Sequence, residues 1–280
     1  ADDVIDTSSS EWPSRAAALL REQGFARLRL APDDAERSRK LLCDADGFFD
    51  DPVGVRDMHI APRERDTRDT RSGYVFERGR EYLELHPCTR SLRPTSAAAA
   101  MLLRTATAFS SACHELCERA LEALQCDEGR LESLVRMEQT FAGAGDASFG
   151  ASMLRVHRYT EGADYPPHVD LGLLTLAPRA SVPGLVVQLP DGSWVALEEL
   201  MADDEAVIFA GSTLAELCAV RALPHRVGHH RDGSRVSAPY FLRASPGVPL
   251  PCASADGADE ATTGDRPAGR SVGAFVAALA

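Results

Sequence analysis

The stretch YPPHVDLGLLTL, residues 165–176, sets an imidazole and a carboxylate two positions apart, His168 and Asp170, ahead of a run of leucines. Elementary chemistry offers two readings. In one, the pair is a solvated His and Asp at the end of a strand. In the other, both side chains hold one metal ion. Successive strand side chains point to opposite faces, so residues i and i+2 share a face and can reach a single ion. Two ligands do not make a site. A third is available downstream, His225 in ALPHRV. Two neutral imidazoles and one carboxylate form the facial triad that holds non-haem Fe(II) and leaves positions open for O2 and a co-substrate.

A candidate for that co-substrate's receptor lies ten residues after His225, in the segment RVS. Arg235 offers the planar fork that suits a carboxylate, and Ser237 a hydroxyl that donates to the same group. The two are again i and i+2. His157 and Tyr159, in RVHRY, form another such pair that would complete the floor of a dicarboxylate site.

These residues need elements to carry them. EWPSRAAALLREQ, residues 11–23, reads as a helix closed by Gly24. FARLRL alternates strictly and reads as a strand. Residues 33–49 read as a second helix, and 96–125, rich in strong helix formers, as a long third one. A shorter helix is expected over about 128–137. Residues 51–80 are crowded with charge and read as a long loop, of the kind that is often functional. Past residue 150 the texture changes to short β-type runs separated by turn residues, with Asp191-Gly192 as a hairpin signal. Residues 251–270 read as a flexible linker, and SVGAFVAALA as a short closing helix. There is no internal repeat.

Composition removes several function classes. The chain has 280 residues, 44% of them hydrophobic, and a net charge of -12. That charge argues against a nucleic-acid partner or an anionic membrane surface, both of which call for a basic face. No apolar run approaches the roughly 18 residues of a spanning helix. Lys40 is the only lysine, which disfavours Schiff-base and P-loop chemistry. The seven cysteines form no CxxC pair and are odd in number, so they are expected as reduced thiols in a cytoplasmic protein. Cys113 and Cys117 share a helix face and are read as core. His229 and His230 fall in an expected hairpin turn and are read as solvent-exposed; His59 and His86 are read as loop or structural residues.

The motifs HVDLGLLTL, GLVVQLPDGSWVAL, PHRV and RVSAPYFLRASP, taken in order across roughly 150–246, resemble the isopenicillin N synthase-like branch of the 2-oxoglutarate/Fe(II)-dependent dioxygenases. REQGFARLRL, GFFDDP and SGYVFERGREYLELHP extend the resemblance more loosely into the first half. The resemblance implies an α+β chain with a double-stranded β-helix (jelly-roll) core and N-terminal flanking helices. Residues 1–149 would pack as a helical and loop region on a core at 150–250, with 251–280 as linker and closing segment, the whole forming one integrated domain. It implies His168, Asp170 and His225 as iron ligands, with Arg235 and Ser237 on the distal carboxylate of 2-oxoglutarate. Tyr159 stands where the family's Asn-x-Tyr motif has its tyrosine, and His157 replaces the asparagine. The family's Asn-x-Gly-Asp stretch is FAGS here, residues 209–212, so that turn must be held differently. An intact Asp170 leaves no vacancy for the chloride of halogenating relatives.

The expected activity is therefore oxidation of a small-molecule substrate by a monomer, with Fe(II), 2-oxoglutarate and O2. Hydroxylation, desaturation and oxidative cyclisation all remain open. Substrate choice is expected in the 56–86 loop, with Tyr74 near its middle, and in the strands facing the iron; the loop's arginines could meet an acidic substrate, but a solvated loop balanced by neighbouring Asp and Glu is the favoured reading. Two alternatives stand beside this: a 2-oxoglutarate-independent Fe(II) oxidase in which Arg235 holds the substrate's own carboxylate, and a non-catalytic jelly-roll binding module.

Overall fold

The structure, a computed structural model, describes residues 3–52, 73–77, 79–86, 94, 96–124, 152–218, 220–229, 233–244 and 271–279. Helix α1 (Trp12–Gln23) buries Trp12, Ala16, Ala17 and Leu20, which fall on one face at helical spacing. It ends at Gly24, whose φ of 87° is left-handed and whose N–H donates to the Leu20 carbonyl. A side chain at Gly24 would also meet the Arg221 carbonyl oxygen at 2.6 Å, so glycine serves both the cap and a close chain approach. Helix α2 (Pro32–Phe49) opens with a proline and two aspartates in its first turn, favourable at the positive end of the helix dipole. Helix α3 (Ala97–Ala123) is capped by Ser96, whose hydroxyl accepts from the Ala99 N–H. Cys113 and Cys117 are buried on its inner face.

Two sheets carry the rest. The larger has nine strands: β1 (Val4–Asp6), β2 (Phe25–Arg29), β3 (Gly73–Glu77), β4 (Arg80–Leu85), β5 (Met153–Tyr159), β7 (Leu174–Pro178), β10 (Glu205–Ala210), β12 (Arg235–Ser237) and β13 (Tyr240–Leu242). Their order is β1-β2-β10-β7-β13-β5-β4-β3, with β12 also on β5, and only β1 with β2 is parallel. The smaller sheet is antiparallel, in the order β6 (Tyr165–His168), β11 (His225–Val227), β8 (Leu185–Gln188), β9 (Trp194–Ala196). A 3-10 turn (Leu197–Leu200) follows β9, a short α4 (Ser212–Leu217) follows β10, and α5 (Val272–Leu279) closes the described chain.

Alternation along the strands sorts their residues between two environments. Leu154 and Val156 of β5, Leu174 and Leu176 of β7, and Ala206 and Ile208 of β10 join α1, α2 and α3 in one large apolar core. Their sequence neighbours face the smaller sheet, where Val207, Phe209, Leu185 and Val187 form a second cluster. Beside that cluster, between the sheets, a cavity of about 460 Å³ remains.

The three long helices, the Phe25 strand, the Asp191-Gly192 hairpin and the closing helix stand where the sequence places them. Part of the long charged loop does not. Residues 73–77 and 80–85 pair as an antiparallel hairpin at the edge of the larger sheet. Tyr74 is buried there against Phe48 and Phe49, its hydroxyl 2.5 Å from Glu81, on the helix side of the sheet and away from the cavity. The β-branched and aromatic run GYVFE outweighs the flanking charge, which sits at the exposed edge. Residues 53–72, the expected helix at 128–137 and the expected linker at 251–270 lie outside the described residues. One cysteine also departs from expectation. Cys218 is disulfide-bonded, so the seven are not all thiols; parity and spacing along the chain do not reveal which cysteines meet in space.

Candidate metal centre and carboxylate receptor

His168 ends β6 and His225 opens β11, and the two are direct partners across an antiparallel pair. Directly opposed residues project to the same face, so the register alone brings the imidazoles together, ring centres 4.2 Å apart. His168 Nδ1 lies 2.9 Å from the Pro166 carbonyl oxygen and His225 Nδ1 3.1 Å from that of Leu223. A carbonyl only accepts, so each Nδ1 carries the proton and each Nε2 presents a lone pair. Both Nε2 atoms point at Asp170 Oδ1, at 3.7 and 3.8 Å. The other carboxylate oxygen accepts from Thr175 Oγ1 at 2.5 Å. Three ligand atoms thus converge within 4.8 Å, each oriented by an outer hydrogen bond as metal ligands require. Burial, reinforced by the neighbouring His225, holds the His168 pKa below the usual imidazole range, which favours the ligating form.

Asp170 lies beyond the end of β6, in a turn that FAGS fixes from outside. The Ser212 N–H donates to the Asp170 carbonyl at 2.8 Å, the Gly211 N–H to that of Leu173, and Thr213 Oγ1 to that of Leu171. A Cβ at Gly211 would stand 2.3 Å from the Gly172 oxygen. The backbone approach that holds the carboxylate therefore requires glycine there.

The other predicted residues meet on the cavity face of the larger sheet. β12 pairs with β5 so that Arg235 lies opposite Tyr159 and Ser237 opposite His157. Arg235 stacks over the Tyr159 ring at 5.5 Å. His157 is buried, and its Nδ1 has no hydrogen-bond partner. Burial first, then Arg155, holds its pKa well below the ordinary value, so the ring is neutral. His229 is exposed, as expected, with Nδ1 on the Gly162 carbonyl.

Arg235 is not idle. Its Nη2 lies 2.9 and 3.1 Å from the two oxygens of Glu198, and its Nε donates to the Val182 carbonyl at 3.0 Å. Glu198 is 2% exposed and also accepts from the N–H groups of Ala180, Gly184 and Leu185. Among the described residues Nη1 makes no hydrogen bond, and it remains to meet a ligand. Gly184 is the glycine of the Gly-Leu pair, and a Cβ there would fall 2.8 Å from Arg235 Nε. The sequence reading missed Glu198 and Thr175, and placed Arg80 only among the arginines of the long loop. Arg80 is engaged by Glu77 and stacks on Tyr165 at 4.3 Å. Thr175 lies inside the HVDLGLLTL motif, so its place in the motif was the available signal. Glu198 offers none, because it stands beside an equivalent and exposed Glu199.

The chain matches no family model and no curated protein sequence. It does match solved structures. The full-length Neurospora crassa T7H, in complex with alpha-KG and 5-formyluracil, is 19% identical, with 99% of this chain and 95% of that one covered and a TM-score of 0.71. A Caulobacter crescentus protein assigned to the 2OG-Fe(II) oxygenase family is 18% identical, over 99% and 97%, at 0.70. JOX2, in complex with 2OG, Fe and JA, is 19% identical, over 90% and 77%, at 0.65. At these identities the likeness is one of fold: the chain has the fold of solved 2OG-Fe(II) oxygenases. Among the described residues no helix is long and apolar enough to cross a membrane.

Proposed function

We propose that the protein is a non-haem Fe(II)- and 2-oxoglutarate-dependent oxygenase with a jelly-roll core, acting on a small molecule. One observation carries this reading: two imidazole Nε2 atoms and one carboxylate oxygen, each oriented by its own outer hydrogen bond, converge at the wall of the cavity between the sheets. His168, Asp170 and His225 would hold the iron. Arg235 Nη1 and Ser237 would bind the distal carboxylate of 2-oxoglutarate, above Tyr159 and the neutral His157. When bound, Fe(II) with 2-oxoglutarate and O2 supplies oxidation of a substrate C–H bond, with 2-oxoglutarate leaving as succinate and CO2. The chain's part is to position and to protect. Thr175 keeps Asp170 Oδ1 turned to the imidazoles, the Pro166 and Leu223 carbonyls keep Nε2 free of a proton, and Phe209 against His225 excludes water from one side. The solved structures that share the fold include complexes with alpha-KG or 2OG, which supports the co-substrate.

A second reading has an observation of its own. Glu198 already neutralises Arg235, so the pair could instead meet the substrate directly, in an oxidase that uses no 2-oxoglutarate. An anaerobic Fe(II) titration, run with and without 2-oxoglutarate, separates the two. One iron per chain and a weak visible charge-transfer band on adding 2-oxoglutarate are expected. Iron without the band favours the oxidase, and no stoichiometric iron overturns both.

A further inference from the structure

Four arginines line the cavity: Arg80, Arg155, Arg235 and Arg243. The first three each have a carboxylate, from Glu77, Glu84 and Glu198 respectively. Arg243 has none. Among the described residues its guanidinium makes no ion pair and no hydrogen bond; only its backbone N–H is engaged, by Ser152 Oγ. Glu84 and Asp170 attract it from beyond contact, and both are committed elsewhere. Burial, with repulsion from Arg155, pushes its pKa down to about 10, which still leaves it charged at neutral pH. Arg243 is half-buried, so its guanidinium lines the cavity while still reachable from solvent, and a cation there with no anion among the described residues is open to one that a ligand brings.

That ligand is not the group bound at Arg235. Arg235 sits opposite Tyr159 at one end of β5, whereas β13, which leads into Arg243, sits opposite Leu154 and Met153 at the other. The strand between them spans about 20 Å at ~3.3 Å per residue. A five-carbon diacid held at Arg235 does not bridge that length. Arg243 packs instead beside the metal-ligand turn: a Cβ at Gly172, two residues past Asp170, would touch its Cγ at 3.6 Å. Met153, Leu171 and Phe241 line the same cavity and supply an apolar patch, with Arg155 over the Phe241 ring at 5.5 Å.

We propose that Arg243 anchors the carboxylate of the primary substrate, a small organic acid whose apolar body lies against Met153, Leu171 and Phe241. This rests on the oxygenase reading of the neighbouring site. It gives no such role to the arginines of the 56–86 loop, of which the only one described, Arg80, is already paired with Glu77.

Phenylglyoxal modification tests this in the Fe(II)- and 2-oxoglutarate-loaded protein, kept anaerobic, with each arginine followed by peptide mass spectrometry. Acetate is the probe, because it fits any carboxylate pocket; acetamide and potassium chloride at matched ionic strength are the controls. Arg243 is expected to react faster than the paired Arg80 and Arg155. Saturating acetate should slow its reaction by roughly tenfold, as for a charge-assisted pair, and acetamide should not. If Arg243 reacts no faster than the paired arginines, or if acetate leaves its rate unchanged, the proposal fails. Iron content and the charge-transfer band, read on the same sample, keep the two readings apart. Both present with Arg243 unprotected overturns the anchor alone. Both absent with Arg243 protected overturns the oxygenase and leaves an anion pocket without its reaction.

Discussion

The two faces of the nine-stranded sheet are built from the same strands and behave as different materials. On the helix side, Leu154, Val156, Leu176 and Ile208 pack into one apolar cluster with α1, α2 and α3. On the cavity side, the neighbours of those residues are Arg155, His157, Thr175 and Phe209: Arg155 pairs with Glu84 on the adjacent strand, Thr175 donates to Asp170, and Phe209 packs on His225 of the smaller sheet. The helix face obtains its stability from area removed from water, which is non-directional. The cavity face depends on paired charges and oriented hydrogen bonds, where one lost partner leaves another stranded. A substitution should therefore damage stability when it falls on one face and chemistry when it falls on the other.

The sharpest break should come from Asp170→Ala on the cavity face. It removes the charged ligand and should abolish turnover and stoichiometric iron binding, read by metal analysis, while leaving the sheet folded by circular dichroism. One tightly bound iron in that variant would refute the ligand assignment. Next is Arg235→Leu, which should weaken 2-oxoglutarate by roughly two orders of magnitude, since a charge-assisted pair supplies about 1.5–3 kcal/mol per bond. It also leaves Glu198 buried without its cation, at a cost of about 3–5 kcal/mol in a denaturant titration. Arg235→Lys should fall between, because an ammonium keeps the charge but not the planar fork. If 2-oxoglutarate dependence survives Arg235→Leu while substrate binding weakens, the oxidase reading wins.

On the helix face the signature should reverse. Leu154→Ala, at a position with no exposure, should lower stability by about 2–5 kcal/mol and leave iron stoichiometry and the charge-transfer band as they are. Loss of the band in a folded Leu154→Ala protein would show that the faces are not separable.

The smallest effect is on pH. Burial holds the His86 pKa down to about 4, and burial also depresses His157. The unfolded chain begins to protonate these rings near pH 6.5 while the folded one does not. The unfolded form thus binds more protons between about 6.5 and 4, and stability is lost as the pH falls through that window. His86 alone should contribute on the order of 3 kcal/mol. Flat stability from pH 7 to 4.5 would contradict the buried, neutral state of these rings.

Much of this was legible in the chain itself. Helix caps, strand alternation and the His168-x-Asp170 pair are carried by residue type and short spacing, because they depend on backbone geometry within a few positions, whereas His225, far along the chain, comes to them through the pairing of β11 with β6. Short spacing also carries the pairs Arg235 with Ser237 and His157 with Tyr159, each set on one face by the period of a strand. The edge hairpin of β3 and β4 was hidden, because local charge looked like a loop and pairing energy came from β5, some seventy residues away.

What only the tertiary structure decided is which charge meets which. Glu198 and Glu199 are identical neighbours, yet one is buried on Arg235 and the other faces solvent. Arg155 and Arg243 line one cavity, yet among the described residues only the first meets a carboxylate. Residue type and spacing set what a side chain can do along its own strand. Its partner is set by register between segments far apart in sequence, and that register is settled by the packing of the whole core.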